Sequence, residues 1–133
     1  MLFKDYTYSV LIVSASEKFA ASIKAYLPEN EFGPVKLVKS AGEARRRLAD
    51  LDFDIVLINT PLADDFGTKL AHDVAVDTKS GVLMFVKADL YDEVTDRVID
   101  FGVFTISKPI SASMVHQVFK IMYAMQERFR SME

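Results

Sequence analysis

The chain contains no cysteine, and that absence removes disulfides, thiolate catalysis and Cys-ligated zinc from consideration. Histidine is almost as scarce. His72 and His116 fall in different expected helices without the spacing of a metal pair or a phosphohistidine relay, so both read as ordinary helix residues. Glycine and proline number only 5 and 4 in 133 residues, which excludes a fibrous repeat and, with the apolar content, disorder. No apolar run approaches the ~18 residues of a membrane span. The start of the chain, where Lys4 and Asp5 precede a short apolar run, lacks the h-region of a signal peptide, and a cytoplasmic protein without a membrane partner is expected. Positive charge is not in excess either: the net charge of −3 argues against this segment gripping a phosphate backbone. The one basic run, Arg45-Arg46-Arg47, reads as the solvated face of a helix. Neither G-x-G-x-x-G nor G-x-x-x-x-G-K-[ST] occurs, and no Ser/Thr-Gly loop follows the first strand, so no dinucleotide, NTP or FMN cofactor is expected. No nucleophile–base pair or pair of acids is visible, and enzymatic turnover is not expected.

What the chain does have is half hydrophobic and about a quarter charged residues, enough for one domain that buries roughly two-thirds of its unfolded surface. Five β-rich runs alternate with helical patterns: Tyr8 to Val13, Val35 to Val38, Asp54 to Ile58, Gly81 to Val86 and Val103 to Ile106. Near-continuous Val, Ile and Leu, as in Val10-Leu11-Ile12-Val13, suits strands covered on both faces. Helices are expected near 16–27, 41–50, 66–78, 91–101 and 111–131. Ser14 with Glu17 and Ser40 with Glu43 fit S-x-x-E capping boxes, and Ser111 opens the last helix. The fold class is therefore α/β, a doubly wound five-stranded parallel sheet of flavodoxin-like topology with five helices and right-handed crossovers. In such a sheet the functional crevice lies beyond the carboxyl ends of the strands. Ser14-Ala15-Ser16, Asn59-Thr60-Pro61 and Ser107-Lys108-Pro109 converge there.

The order V-L-I-V, then D-I-V-L-I-N-T-P-L, then S-K-P-I before the last helix resembles the receiver domain of bacterial response regulators, over residues 7 to 124. The resemblance implies a regulatory module of a two-component or phosphorelay system. In working receivers the first loop supplies two metal-holding acids, the third strand ends in the phosphorylated Asp, the fourth ends in Ser or Thr, and a Lys contacts the phosphoryl group. The matching positions here are Ser14 and Ala15, Asn59, Val86 and Lys108, and the aromatic three residues before that Lys is Thr105. Magnesium normally keeps carboxylate ligands, so no metal is expected. An amide is far less nucleophilic than a carboxylate, so no acyl-phosphate is expected at Asn59. The resemblance thus implies a phosphorylation-deficient pseudo-receiver. Asp64 and Asp65 stand further along the loop; their negative charge suits the start of the next helix, and the other reading makes one of them a displaced acceptor.

The wording of residues 59–67 and 81–88 is similar to the receiver-like N-terminal part of ANTAR-type antitermination regulators. That implies residues 1–124 as the receiver-like domain and 125–133 as an extension of the last helix, the start of a coiled-coil linker. RNA binding would belong to a downstream helical domain outside these residues. Val115, Val118, Met122, Met125, Phe129 and Met132 are spaced 3, 4, 3, 4 and 3, a heptad seam. Val115, Val118, Phe119 and Met122 suit the core, whereas Met125, Phe129 and Met132, continuing the stripe from Met122, are expected to offer a partner helix, making the chain a homodimer or a binder of another protein. Two readings of the emptied pocket stand side by side. Lys87 and Lys108, with Asn59 and Ser14, hold an anion or acidic small molecule, or Lys108 bonds neutral oxygens while Lys87 faces solvent or Asp89.

Overall fold

The computed structural model describes residues 6–132. Ten regular elements alternate along it: β1 (Tyr8–Ser14), α1 (Glu17–Tyr26), β2 (Phe32–Val38), α2 (Ala41–Asp50), β3 (Ile55–Asn59), α3 (Thr68–Asp77), β4 (Gly81–Lys87), α4 (Tyr91–Val98), β5 (Phe104–Lys108) and α5 (Ala112–Ser131). The strands form one parallel sheet in the order β2-β1-β3-β4-β5. The order reverses next to β1, so the ends of β1 and β3 face the crevice of a doubly wound sheet.

Because side chains alternate across a strand, the apolar runs feed two separate cores. Leu11, Val13, Val56, Ile58, Val82 and Met84 pack under α2, α3 and α4. Val10, Ile12, Ile55, Leu57, Leu83 and Phe85 pack under α1 and α5. Strand β3 is buried along its whole length. Truncating Leu57, which is 0% exposed, to Ala is expected to cost about 2–5 kcal/mol.

The element order agrees with the sequence, and the differences lie at element ends. Ser14 does not cap α1: it ends β1, and the cap is Ser16, whose hydroxyl accepts from the Phe19 amide. Ser40 and Ser111 do cap α2 and α5. Helix α3 begins at Thr68 rather than 66, after Gly67 at φ 116°, a left-handed conformation in which a Cβ would also sit 3.1 Å from Ile58. The last turn of the fourth helix tightens into 3₁₀ geometry over Ile99–Phe101 and stops at Gly102, φ 80°. Strand β2 starts earlier than Val35, at Phe32. Asp64 does not start α3. Its two carboxylate oxygens accept from the Ala41 and Gly42 amides at 2.8 and 2.9 Å, so its charge sits at the N-terminus of α2.

Helix α5 runs without a break through Ser131. Its polar side beyond Ala124 docks on the sheet: Gln126 donates to the Asp54 carbonyl at 3.2 Å, and the Tyr8 hydroxyl bonds Glu127 and Arg130. Tyr8, Tyr123, Phe32 and Phe119 form an edge-on aromatic chain beneath it. Its apolar stripe does not dock fully, since Met125, Phe129 and Met132 are 49, 60 and 81% exposed.

Candidate functional site at the strand ends

The strand register sets the site. Ser14 and Asn59 are paired residues on the adjacent strands β1 and β3, and both are buried. Their side chains share the face of Ile12 and Leu57, the face covered by α1 and α5. Asn59 Nδ2 donates to Ser14 Oγ at 3.0 Å, and Ser14 Oγ donates in turn to the Ser16 carbonyl at 2.8 Å. The Lys108 ammonium comes from the end of β5. It donates to Asn59 Oδ1 at 2.8 Å and to the Thr60 carbonyl at 2.7 Å. Thr60 is fixed by its own amide and hydroxyl, which both reach the Phe85 carbonyl, at 3.1 and 2.8 Å. Lys108 Nζ also lies 5.6 Å from the Phe19 ring centroid, within cation–π range.

The structure therefore brings Ser14, Asn59 and Lys108 into one polar chain and leaves the other expected residues outside it. Val86 points to the opposite face of the sheet and is buried in the core under α2, α3 and α4, because it has the strand parity of Val82 and Met84. Ala15 is exposed past the end of β1. Lys87 is exposed and pairs in register with Lys108. Thr105 is buried on the α4 side and hydrogen-bonded to Thr95 at 2.8 Å. Sequence reasoning missed the Thr60 carbonyl and the Phe19 ring. A backbone acceptor carries no residue signature, and Phe19 reads from its spacing as one more apolar residue of α1.

The electrostatics follow from the missing acids. Burial pushes the Lys108 pKa below the usual lysine range, and repulsion from Lys87 lowers it further. Both partners of Lys108 are neutral oxygens, so its charge is solvated by dipoles alone. Asn59 has both ends of its amide engaged, which fixes its orientation and leaves its oxygen facing a cation. Among the described residues no group of three or more His, Asp or Glu stands close enough to hold a metal ion. His72 bonds its neighbour Asp73 and packs edge-on against Phe101, on α3 and away from the strand ends.

No protein-family model matches the chain, and no curated protein matches it. Solved structures do. The signal receiver domain of an HD domain-containing protein from Pseudomonas fluorescens Pf-5 superposes with a TM-score of 0.82 at 17% identity, covering 98% of this chain and 97% of that one. This chain has the receiver fold. A CheY-like response regulator receiver domain from Methanospirillum hungatei JF-1 gives 0.79 at 22% identity, over 92% and 98% of the two chains. A protein described among redox sensors of the streptococci that evolved from two-component response regulators gives 0.79 at 17% identity, over 95% of this chain but only 55% of that one. Within the receiver fold, the hydrogen-bonded chain of Ser14, Asn59 and Lys108 occupies the crevice beside the switch in strand order. No helix among the described residues is long and apolar enough to cross a membrane.

Proposed function

We propose that this chain is a regulatory receiver-fold module that signals without an aspartyl phosphate, through dimerisation or contact with another protein. The observation that carries the reading is the closed polar chain at the strand ends. The side chain ending β3 is an amide held between Ser14 and Lys108, and among the described residues no cluster of acids stands there to bind a metal or attack a phosphorus atom. Asp64 offers no substitute acceptor, because both its oxygens are spent on the first amides of α2. An anion at Lys108 would have to displace two short bonds to neutral oxygens, which favours the structural role of that lysine. That a neighbour in fold is described as a redox sensor evolved from response regulators supports the idea that the scaffold is used without its usual chemistry.

Incubation with acetyl phosphate and magnesium, followed by intact-mass measurement, tests the reading. The unmodified mass is expected, and a labile phosphoryl adduct on an aspartate would overturn it. The partner surface in this reading is the α5 stripe of Met122, Met125, Phe129 and Met132, of which the last three are largely exposed. The similarity of residues 59–67 and 81–88 to ANTAR-type regulators supports a finer version, in which the dimer positions an antitermination domain. Sequencing the coding region beyond residue 133 tests that version directly.

A further inference from the structure

Between α5, the β4–β5 edge of the sheet and the end of α3 runs an apolar trough of about 310 Å³. Its walls are Phe104, Val118, Ile121, Met122 and Met125, and Gly81 lies at the floor, where a Cβ would stand 3.6 Å from the Met122 methyl. The volume is at the lower end of that of small-molecule sites, which are mostly apolar with a few polar groups at one end. Methionine lining adapts to flexible apolar guests. A second cavity of about 570 Å³ adjoins the trough, and the two share Lys79, Gln126 and Phe129. The charges there are unequal in availability. Asp54 is held by the Ser9 amide and hydroxyl, and Arg130 by Tyr8 and Glu127. Lys79 is exposed, lines both cavities, and has no hydrogen-bond or ion-pair partner among the described residues.

We propose that this trough binds a single-chain anionic amphiphile, a medium-chain carboxylate, with the alkyl tail between α5 and the β4–β5 edge and the carboxylate paired with Lys79. The charge at the mouth matches an anionic head, and the lining beyond it has no further free charge to repel an alkyl chain. The site is separate from the strand-end crevice, so it stands whether or not the chain is phosphorylated, but it shares Met122, Met125 and Phe129 with the proposed partner stripe, so ligand and partner would compete there.

The test is an amide-resolved NMR titration with decanoate below its micellar range, with decanol as the uncharged control. Saturable shifts at Lys79, Val82, Phe104 and Met125 are expected for decanoate, and Lys79→Gln should weaken decanoate roughly three- to five-fold while leaving decanol unchanged. Gly81→Val should abolish binding by filling the floor, where a Cβ meets nothing nearer than 3.6 Å. Ile121→Glu, at a half-exposed position, should do the same without touching the core. Shifts scattered over other surfaces, no saturation, or full decanoate affinity in both folded trough variants would overturn the proposal. Equal weakening of decanol in Lys79→Gln would overturn the assignment of the head group.

Discussion

Ser14 carries more of the strand-end chemistry than its size suggests, because its one hydroxyl accepts from Asn59 and donates to the turn after β1. Ser14→Ala would leave the Asn59 Nδ2 donor buried without an acceptor, a loss expected at about 1–3 kcal/mol in chemical denaturation. Lys108 contributes one alkaline part of the pH dependence. Its folded pKa is lowered, so between that value and the ordinary lysine range the unfolded chain binds more protons than the folded one. Stability is therefore expected to rise with pH through that window. Denaturation curves from neutral to alkaline pH should show this rise, and Lys108→Met should remove it. Asn59→Asp alone is expected to strengthen the contact with Lys108 without conferring magnesium-dependent phosphorylation, since Ser14 and Ala15 remain neutral. Intact mass after acetyl phosphate treatment checks that outcome. Asn59, Lys108 and Ser14 were legible from their places at strand ends. The failure at Val86 is instructive: position along the chain put it at the pocket, but the period-two alternation of the strand turns its side chain to the other face.

Elements were legible wherever their signal is local. Continuous apolar runs marked β1, β3 and β4, and the hydroxyls of Ser40 and Ser111 marked helix starts three residues before the amides they accept from. Ser14 and Ser16 competed for one cap, and the strand claimed the first of them. Asp64 was misplaced because its partners lie 23 and 22 residues away, beyond any capping pattern. Those two amide bonds hold its carboxyl below the usual carboxylate range, Gly42 contributing most. Its stabilisation is present above the ordinary Asp pKa and is lost as pH falls through the depressed one. Asp64→Ala is accordingly expected to speed hydrogen exchange at Ala41 and Gly42 at neutral pH. Wild-type exchange should approach the variant's only in acid.

For the whole molecule, the sequence pattern was sufficient for a doubly wound parallel sheet with helices on both faces, because alternation of buried strands with amphipathic helices admits few topologies. It was not sufficient for the end of α5. The heptad seam passes from buried Val115 and Val118 to exposed Met125, Phe129 and Met132, and the polar residues interleaved with its exposed part, Gln126, Glu127 and Arg130, hold the same turns against the sheet. The stripe thus belongs to a helix already fixed in place, which lowers the ordering entropy a partner must overcome. Sedimentation over a concentration series should show a dimer that dissociates on dilution, and Phe129→Glu, at an exposed position, should give a folded monomer. A monomer at every concentration in the wild type would exclude the homodimer.

The bond from Tyr8 to Glu127 spans 119 residues, so it joins nearly the first described strand to nearly the last turn of helix. A contact of that separation closes a loop as long as the domain and has little to gain before the sheet between its ends has assembled. The tail of α5 is therefore set to dock late in folding, once the strands it rests on are paired. A binder seated on the docked tail would read the integrity of the whole sheet from the last turns of one helix.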